Sequence, residues 1–177
     1  MSVRQYMVPE EMDVFVELVS LAQPSVVVEF GVNEGITANE LLLRFVDIER
    51  YIGIDVPAEY VDEIWPQQRG EIPHEPGRLV NHDPRFELMI RRHGSLDLTP
   101  ADLPPCDVAY IDGDHNYKVV MHDSLLARRI VRQGGIIIWH DAANALTPGV
   151  RRVLEELHGQ GWAIKLVRTT WLAFMKL

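Results

Sequence analysis

Residues 25–30, SVVVEF, and residues 31–35, GVNEG, decide the fold of this chain. The first stretch is a β-branched, apolar run between Pro24 and Gly31, which is typical of a strand buried on both faces of a sheet. Gly31 permits a tight turn, and Gly35 lets the backbone approach a ligand at the start of the next helix. A buried strand, a glycine-rich turn and a helix in this order predict an α/β fold with a ligand site at the turn.

Helical and strand periodicities alternate along the rest of the chain, which predicts a mostly parallel sheet with helices on both faces. Helices are predicted over residues 9–21, from a capping box at Thr37–Glu40 onward, over 117–132 and over 148–159. Strands are predicted over 25–30, 51–55, 87–91, 107–112, 136–140, 162–167 and 171–175. The pair Gly134-Gly135 is expected to end the helix before the fifth strand. The last two strands must pair antiparallel because only a few residues separate them.

The length and composition are those of one globular domain that covers residues 1–177. Hydrophobic residues make up 47% of the chain and charged residues 24%, which is enough apolar material for a core. Residues 57–81 are rich in proline and glycine, and we expect them to form a surface excursion within the domain. Because Cys106 is the only cysteine, an internal disulfide framework is excluded.

Charge and hydropathy indicate where the protein acts. No apolar run approaches the ~20 residues that span a membrane, and residues 1–12 lack the pattern of a signal peptide. We therefore expect a cytoplasmic protein without a membrane partner. The formal net charge of −9 disfavours nucleic acid as a partner, since a negative field repels phosphates.

The ends of the first two predicted strands carry acids beside the glycine turn. Ligands of such sheets bind outside the carboxyl ends of the strands, where the strand order reverses. Glu29 would repel a pyrophosphate and attract a cationic ligand, and Asp55 is placed to accept hydrogen bonds from ribose hydroxyls. The G-x-x-x-G spacing of Gly31 and Gly35 also differs from the G-x-G-x-x-G of dinucleotide enzymes, so a nicotinamide dehydrogenase is the weakest alternative.

A second group of polar residues follows the fourth and fifth strands. The fourth strand runs into DGDHNY at residues 112–117, and the fifth ends in Trp139-His140-Asp141. Asp112 and Asp141 should face one cleft, where two carboxylates repel each other unless a cation or a proton lies between them. Hard oxygen ligands favour magnesium, calcium or manganese. The alternative is that both acids cap the helices that follow.

With E-F-G-x-x-x-G after a buried strand, an acid ending the next strand and a terminal hairpin, the chain resembles class I S-adenosylmethionine-dependent methyltransferases. The resemblance implies a Rossmann-like, doubly wound sheet of seven strands, mostly parallel with one antiparallel strand in a C-terminal hairpin. It also implies that the glycine turn holds the methionyl part of the cofactor, that Asp55 holds the ribose and that the turn at residues 93–96 faces adenine. The cofactor-binding residues expected on this basis are Glu29, Gly31, Asn33, Gly35, Asp55, Gly94, Ser95 and Asp112.

The segment D-G-D-H-x-Y, a helix, two glycines and H-D resemble one branch of that family. The branch contains small O-methyltransferases related to macrolide-sugar (macrocin-type) enzymes and, more distantly, to catechol-type enzymes. The resemblance implies methyl transfer to a hydroxyl oxygen of a small-molecule acceptor, with His115 as general base and Asp112 as a second catalytic residue. It further implies that Asp112 and Asp141 bind Mg2+. Such relatives commonly have Asp or Asn immediately after the fifth-strand acid, where this chain has Ala142, so metal binding and its absence both stay open.

Two other functions are compatible with the same residues. One is a metal-independent methyltransferase that acts on nitrogen or on a macromolecule. The other is a non-catalytic protein that binds the cofactor and is indifferent to His115. The cleft is open, covered by residues 57–81, or completed by a second subunit in a homodimer. His140 is expected to support its loop through a hydrogen bond, and Asp123 to make a structural contact.

Overall fold

A computed structural model describes residues 7–60 and 72–177. Its strands are β1 (Val26–Phe30), β2 (Arg50–Asp55), β3 (Phe86–Ile90), β4 (Cys106–Ile111), β5 (Val131–Trp139), β6 (Lys165–Leu166) and β7 (Ala173–Lys176). Within the described residues they form one seven-stranded sheet in the order β3-β2-β1-β4-β5-β7-β6. Strands β1 to β5 are parallel, and β7 is antiparallel to both β5 and β6. The predicted sheet, with one antiparallel strand in a C-terminal hairpin, is confirmed.

Helices cover both faces of this sheet. The described part of the chain contains α1 (Pro9–Ser20), α2 (Ile36–Arg44), α3 (Tyr117–Ile130) and α4 (Pro148–Gly159). Helices α1 and α2 lie on one face, where Phe15 packs in a core with Val27. Helices α3 and α4 lie on the other face, where Val153 packs with Val28. Because side chains alternate across a strand, the face that holds Val27 also receives the Glu29 side chain.

The start of α2 differs from the prediction. The helix begins at Ile36, directly after Gly35, whose φ of 89° lies in the left-handed region, and no side chain caps its first turn. The capping box predicted for Thr37 and Glu40 is therefore wrong. The left-handed glycine already turns the chain into the helix, and Glu40 is left to pair with Arg44 one turn later.

The double glycine also lies elsewhere than predicted. Helix α3 ends before it, and the pair Gly134-Gly135 lies inside β5, which already begins at Val131. The pairing of β5 with β4 shifts register at this point, as in a β-bulge. A Cβ atom on Gly135 would lie 2.6 Å from the carbonyl oxygen of Asp107. Glycine is thus required by the close approach of β4 and not by the end of a helix.

The order of the strands reverses between β1 and β4, so the cleft expected in a doubly wound sheet lies beyond their carboxyl ends. Part of the predicted excursion, residues 61–71, lies outside the described residues. Its described remainder braces the loop after β1: Gly77 N–H donates to Asn33 O at 2.7 Å and Leu79 N–H to Glu34 O at 3.0 Å. Among the residues described, no helix is long and apolar enough to cross a membrane.

Candidate active site

The glycine turn after β1 is ordered by the acid that ends β2. Asp55 Oδ2 accepts the backbone N–H of Asn33 at 2.7 Å, and its Oδ1 accepts the N–H of Val56 at 2.7 Å. Gly31 and Asn33 both have positive φ, 87° and 49°, so the turn is tightly curled. Burial raises the pKa of Asp55, and the backbone N–H groups oppose that rise. The acid at the end of the second strand, expected to meet ribose hydroxyls, thus also makes a direct hydrogen bond to this turn.

Glu29 is a buried acid beneath the same turn. Its side chain is 1% exposed, and its Oε2 accepts the O–H of Tyr51 at 2.9 Å. Burial raises the pKa of Glu29 well above its usual value, and the charges of Asp112 and Asp55 act in the same direction. A cation that enters the cleft would stabilise the charged form of this buried acid and lower its pKa.

The turn that follows β3 packs beside the end of β2. It forms a short 3₁₀ helix, Gly94–Asp97, whose first residue has φ of 58°. A Cβ atom on Gly94 would lie 3.2 Å from Val56, directly after Asp55. Behind the turn, His122 Nε2 lies 2.9 Å from the carbonyl oxygen of Ser95. The structure therefore brings Gly94 and Ser95 to the edge where the glycine turn lies.

Asp112, His115 and Asp141 lie together at the ends of β4 and β5. His115 Nε2 is 2.9 Å from Asp141 Oδ2, and one ligand atom of each of the three residues lies within 4.8 Å of the others. Asp141 has φ of 59°, unusual for a residue other than glycine and typical of functional loops. Asp112 also accepts the O–H of Tyr110 at 2.8 Å.

Neither carboxylate caps a helix. The side chain of Asn116 accepts the N–H of Lys118 and caps α3, whereas α4 begins after Thr147 without a side-chain cap. The alternative reading of Asp112 and Asp141 as helix caps is therefore wrong. Their oxygens point to other side chains of the cluster instead.

His140 lies beneath the cluster and contacts both acids. Its Nδ1 is 3.2 Å from Asp112 Oδ1 and 3.0 Å from Asp141 Oδ2, and its Nε2 is 3.5 Å from Glu11 Oε2. Burial alone would raise the pKa of Asp141, but the hydrogen bonds from His115 and His140 outweigh it and hold that pKa well below its usual range. The hydrogen bond expected for His140 exists, but it joins the two acids rather than merely supporting a loop.

Glu11 and the two tyrosines are site residues that sequence reasoning missed. Glu11 lies on the buried stripe of α1 with Phe15 and Leu18, and it is 7% exposed. An acid at an apolar helical position is a signal that was available in the sequence, since a buried acid requires a partner. Tyr51 and Tyr110 carry no such signal, because aromatic residues in buried strands usually serve the core.

The glycine turn and the acid cluster adjoin each other through their backbones. Asp112 N–H donates to the carbonyl oxygen of Phe30 at 2.9 Å. Gly31 and Gly113 approach so closely that a side chain on Gly31 would collide with Gly113. The two groups of residues predicted from separate segments therefore adjoin each other at the switch point of the sheet.

The donor set of the cluster, two carboxylates and an imidazole, is chemically suited to a divalent cation. Both oxygens of each acid already accept donors: Tyr110 and His140 at Asp112, and Asn144, His115 and His140 at Asp141. A neutral His115 that donates from Nε2 has no lone pair on that nitrogen for a metal. The three residues form a hydrogen-bond network in this structure, and they are also a set of ligand atoms within 4.8 Å of one another that could hold a metal ion.

Comparison with known proteins agrees with this architecture. A family model described as a methyltransferase domain matches residues 28–142. A cofactor-bound protein from MTB, Rv0187, has 18% sequence identity and a TM-score of 0.67, with 97% of this chain and 81% of that chain covered. CalS11, the TDP-rhamnose 3'-O-methyltransferase of calicheamicin biosynthesis, has 20% identity and a TM-score of 0.62, with 96% and 81% covered.

A third solved structure is similar over most of its length. TomG from Streptomyces achromogenes, an O-methyltransferase of tomaymycin synthesis in complex with SAM, has 17% identity and a TM-score of 0.62, with 97% of this chain and 82% of that chain covered. At these identities the likeness shows a shared fold. No curated protein is similar enough in sequence to count as a match.

Proposed function

The chain belongs to the methyltransferase domain family, and from that premise we propose that it transfers a methyl group from S-adenosylmethionine to a hydroxyl oxygen of a small-molecule acceptor. The observation that carries the proposal is that two pairs lie at the same edge of the sheet. One is His115 with Asp141, and the other is Asp55 with the glycine turn. The cofactor supplies an electrophilic methyl group on a sulfonium centre. The protein's own residues supply binding, orientation and removal of the hydroxyl proton.

The residues at the strand ends are suited to hold the cofactor. In the proposal the turn that contains Gly31, Asn33 and Gly35 lies against its methionyl part, with the buried carboxyl group of Glu29 beneath it. Asp55 meets the ribose, since a carboxylate at the end of the second strand suits a pair of hydroxyls. Three further residues complete the set: Gly94 and Ser95 at the adenine and Asp112 beside the reacting groups.

His115 is suited to act as general base. Its Nε2 lies 2.9 Å from Asp141 Oδ2, and in the tautomer that donates this hydrogen bond the basic nitrogen of the neutral ring is Nδ1. The negative charge of Asp141 stabilises the ring after it has taken the proton, as the acid does in an acid–histidine pair of hydrolases. An alcohol near neutral pH is a weak nucleophile, and this proton transfer makes its oxygen reactive.

A small hydroxylated acceptor agrees with the solved structures of the same fold. CalS11 acts on TDP-rhamnose, and TomG is an O-methyltransferase of a small-molecule pathway. The proposal contains no step through Mg2+. Were a divalent ion bound, Asp112 and Asp141 would hold it.

Calorimetric titration with S-adenosylmethionine, followed by a radiolabelled methyl-transfer assay on glycoside and phenol acceptors, tests the proposal. We expect binding in the micromolar range and label on an acceptor oxygen. If a folded sample does not bind S-adenosylmethionine, the assignment of the cofactor is wrong. Binding with label only on amine acceptors would favour the nitrogen methyltransferase, and binding with no transfer to any acceptor would favour the non-catalytic alternative.

A further inference from the structure

An exposed tryptophan lies at the edge of the cluster formed by Asp112, His115 and Asp141. Trp171 is 44% exposed, although its ring lies edge-on to the ring of the buried His140, with centroids 6.1 Å apart. His140 Nδ1 and His115 Nε2 lie 3.0 and 2.9 Å from the same oxygen, Asp141 Oδ2. Only one imidazole and one carboxylate therefore separate the indole from the proposed base.

The register of the sheet places Trp171 beside this cluster. The last residue of β5, Trp139, pairs with Ala173, the first residue of β7. Because the two strands are antiparallel, the second position after Trp139 lies opposite the second position before Ala173. Those positions are Asp141 and Trp171, and the N–H of Ala142 donates to the carbonyl oxygen of Trp171 at 2.8 Å. The topology of the sheet therefore holds Trp171 at the carboxyl end of β5.

The turn between β6 and β7 fixes the backbone that carries this indole ring. Thr170 Oγ1 donates to the carbonyl oxygen of Val167 at 3.0 Å and accepts the N–H of Leu172 at 3.1 Å. Thr169 has φ of 64°, in the left-handed region that a β-branched residue rarely adopts. Such strain persists only where the surrounding structure enforces it, and it concentrates at ligand sites. A large apolar side chain exposed on a braced and strained turn is typical of a binding surface.

The charges around the indole disfavour an acceptor that carries phosphate. Three carboxyl groups, those of Glu11, Asp112 and Asp141, lie within 3.5 Å of a nitrogen of the imidazole that the indole packs against. The basic residue nearest to Trp171 in sequence, Arg168, borders a separate groove between α1 and β6. Because like charges repel, a nucleotide sugar is a poor fit beside the indole, whereas the face of an uncharged aromatic ring can stack on it.

The proposed base also favours a phenol over an aliphatic alcohol. An imidazole has an ordinary pKa of about 6.5 and a phenol one of about 10, whereas an aliphatic alcohol is about as weak an acid as water, with a pKa of about 15.7. Transfer of a proton to an imidazole is therefore far less unfavourable from a phenol than from an alcohol. A general base works best on a group whose acidity is close to its own.

We propose that the acceptor is a phenol whose ring stacks on the indole of Trp171, with its hydroxyl group at His115. The inference deepens the proposed function and rests on it for the reaction. The hydroxyl proton passes to His115 as an oxygen lone pair forms the bond to the methyl carbon. The carbon–sulfur bond of the cofactor breaks and leaves its electron pair on sulfur, so the products are an aryl methyl ether and S-adenosylhomocysteine. Trp171 determines specificity, since it touches the acceptor without taking part in these bond changes.

The first test measures acceptor binding without turnover. The protein is saturated with S-adenosylhomocysteine, which has no methyl group to transfer, and is titrated in a calorimeter with phenol, catechol and 2-naphthol. Methyl glucoside and thymidine diphosphate glucose are titrated in the same way. We expect the phenols to bind, and 2-naphthol to bind most tightly because its larger ring covers more of the indole. Preferential binding of either sugar compound, or binding of no phenol, would overturn the proposal.

The second test changes the ring at position 171. Trp171→Leu keeps an apolar side chain and removes the aromatic face, so it should weaken binding of 2-naphthol roughly 3- to 10-fold, as expected for the loss of one stacking contact. Trp171→Phe should restore most of that affinity. The control is Leu43→Ala, at an exposed position of α2, which should bind 2-naphthol like the unmodified protein. Equal affinity of the two variants at position 171 would show that the aromatic face is not recognised, and the proposal would fail.

Steady-state rates give a third test and separate this inference from the proposed function. Trp171→Leu should raise KM for 2-naphthol by the same factor as it weakens binding and leave kcat unchanged, the pattern of a lost ground-state contact. Its affinity for S-adenosylmethionine, measured by calorimetry, should stay the same. A fall in kcat with unchanged KM would contradict the stacking role. Failure of the unmodified protein to bind S-adenosylmethionine would instead refute the proposed function, so the two failures are distinguishable.

Discussion

The backbone of Gly113 lies so close to Gly31 that a methyl group on Gly31 would meet the Cα atom of Gly113 at 2.3 Å. This contact joins the loop after β1 to the loop after β4 and fixes the width of the cleft between them. The φ of 87° at Gly31 adds a second restriction, since residues with a side chain rarely adopt it.

Gly31→Ala should lower the free energy of unfolding by about 2–4 kcal/mol, because a collision with backbone and a strained φ act together. Chemical denaturation measures the change. Gly159→Ala is the matched control, since a Cβ atom there meets nothing within 4 Å. Equal stability of the two variants would show that the approach of Gly113 is not restrictive.

Asp55→Asn should weaken binding of S-adenosylmethionine roughly 10- to 100-fold, because hydrogen bonds that involve a charged group contribute about 1.5–3 kcal/mol each. The substitution removes the charge that orders Asn33 in the glycine turn and meets the ribose in the proposed complex. Calorimetry measures the affinity. Asp47→Asn, at an exposed turn, should leave it unchanged. An Asp55→Asn protein that binds as tightly as the original would remove Asp55 from the cofactor site.

His115→Ala should reduce kcat by about 10²- to 10⁴-fold, the usual contribution of a general base. Its affinity for the cofactor should stay the same, because the ring contacts Asp141 rather than the glycine turn. Initial rates at saturating cofactor give kcat, and His82→Ala serves as the surface control. A variant that keeps full turnover would exclude His115 as the base and favour an acceptor that needs none.

Asp123 should make stability depend on pH. Its Oδ1 is the only buried side-chain oxygen or nitrogen among the described residues that has no hydrogen-bond partner. Burial raises its pKa from 3.8 to about 7, the hydrogen bond of Ser95 opposes that rise, and the charge of Asp114 adds to it. The folded state thus binds this proton more tightly than the unfolded state does. The stabilisation is complete below pH 3.8 and is lost as the pH rises through 7.

Asp123→Asn should therefore gain stability relative to the original protein as the pH is raised. Between pH 5 and pH 8 the difference in free energy of unfolding should change by about 2–3 kcal/mol in favour of the variant. Urea denaturation at both pH values measures it, with Asp47→Asn as the control. A difference that is the same at both pH values would show that Asp123 is not protonated on folding.

Local signals in the sequence were enough for the sheet and the glycine turn. The β-branched run of β1 identifies that strand without reference to the rest of the chain. The acid at the end of β2 is also near its partner in sequence, since Asp55 and Asn33 are only 22 positions apart. Prediction failed where tertiary contacts decide the structure: Gly135 in β5 is required by the close approach of the carbonyl oxygen of Asp107. The link of His140 to Glu11 spans 129 positions and leaves no periodic trace.

The clusters were predicted less completely than the strands that carry them. Strand ends bring Asp112 and Asp141 together because neighbouring parallel strands end at the same edge. What lies between the two acids depends on side-chain packing, and no spacing rule predicts that His140 turns inward beneath them. Sequence reasoning identified the need for a cation or a proton between the two acids, but it did not identify the contact of His140 with both.

The hydrogen bond between Glu11 and the backbone of Trp171 joins residues 160 positions apart. At a synthesis rate of about 5–20 residues per second, Glu11 leaves the ribosome roughly 8–32 s before its partner. During that interval the emerging chain has the glycine turn but lacks the amide that holds Glu11 beside His140. The contact between α1 and the end of β5 is therefore completed only after β5 and α4 have both been made.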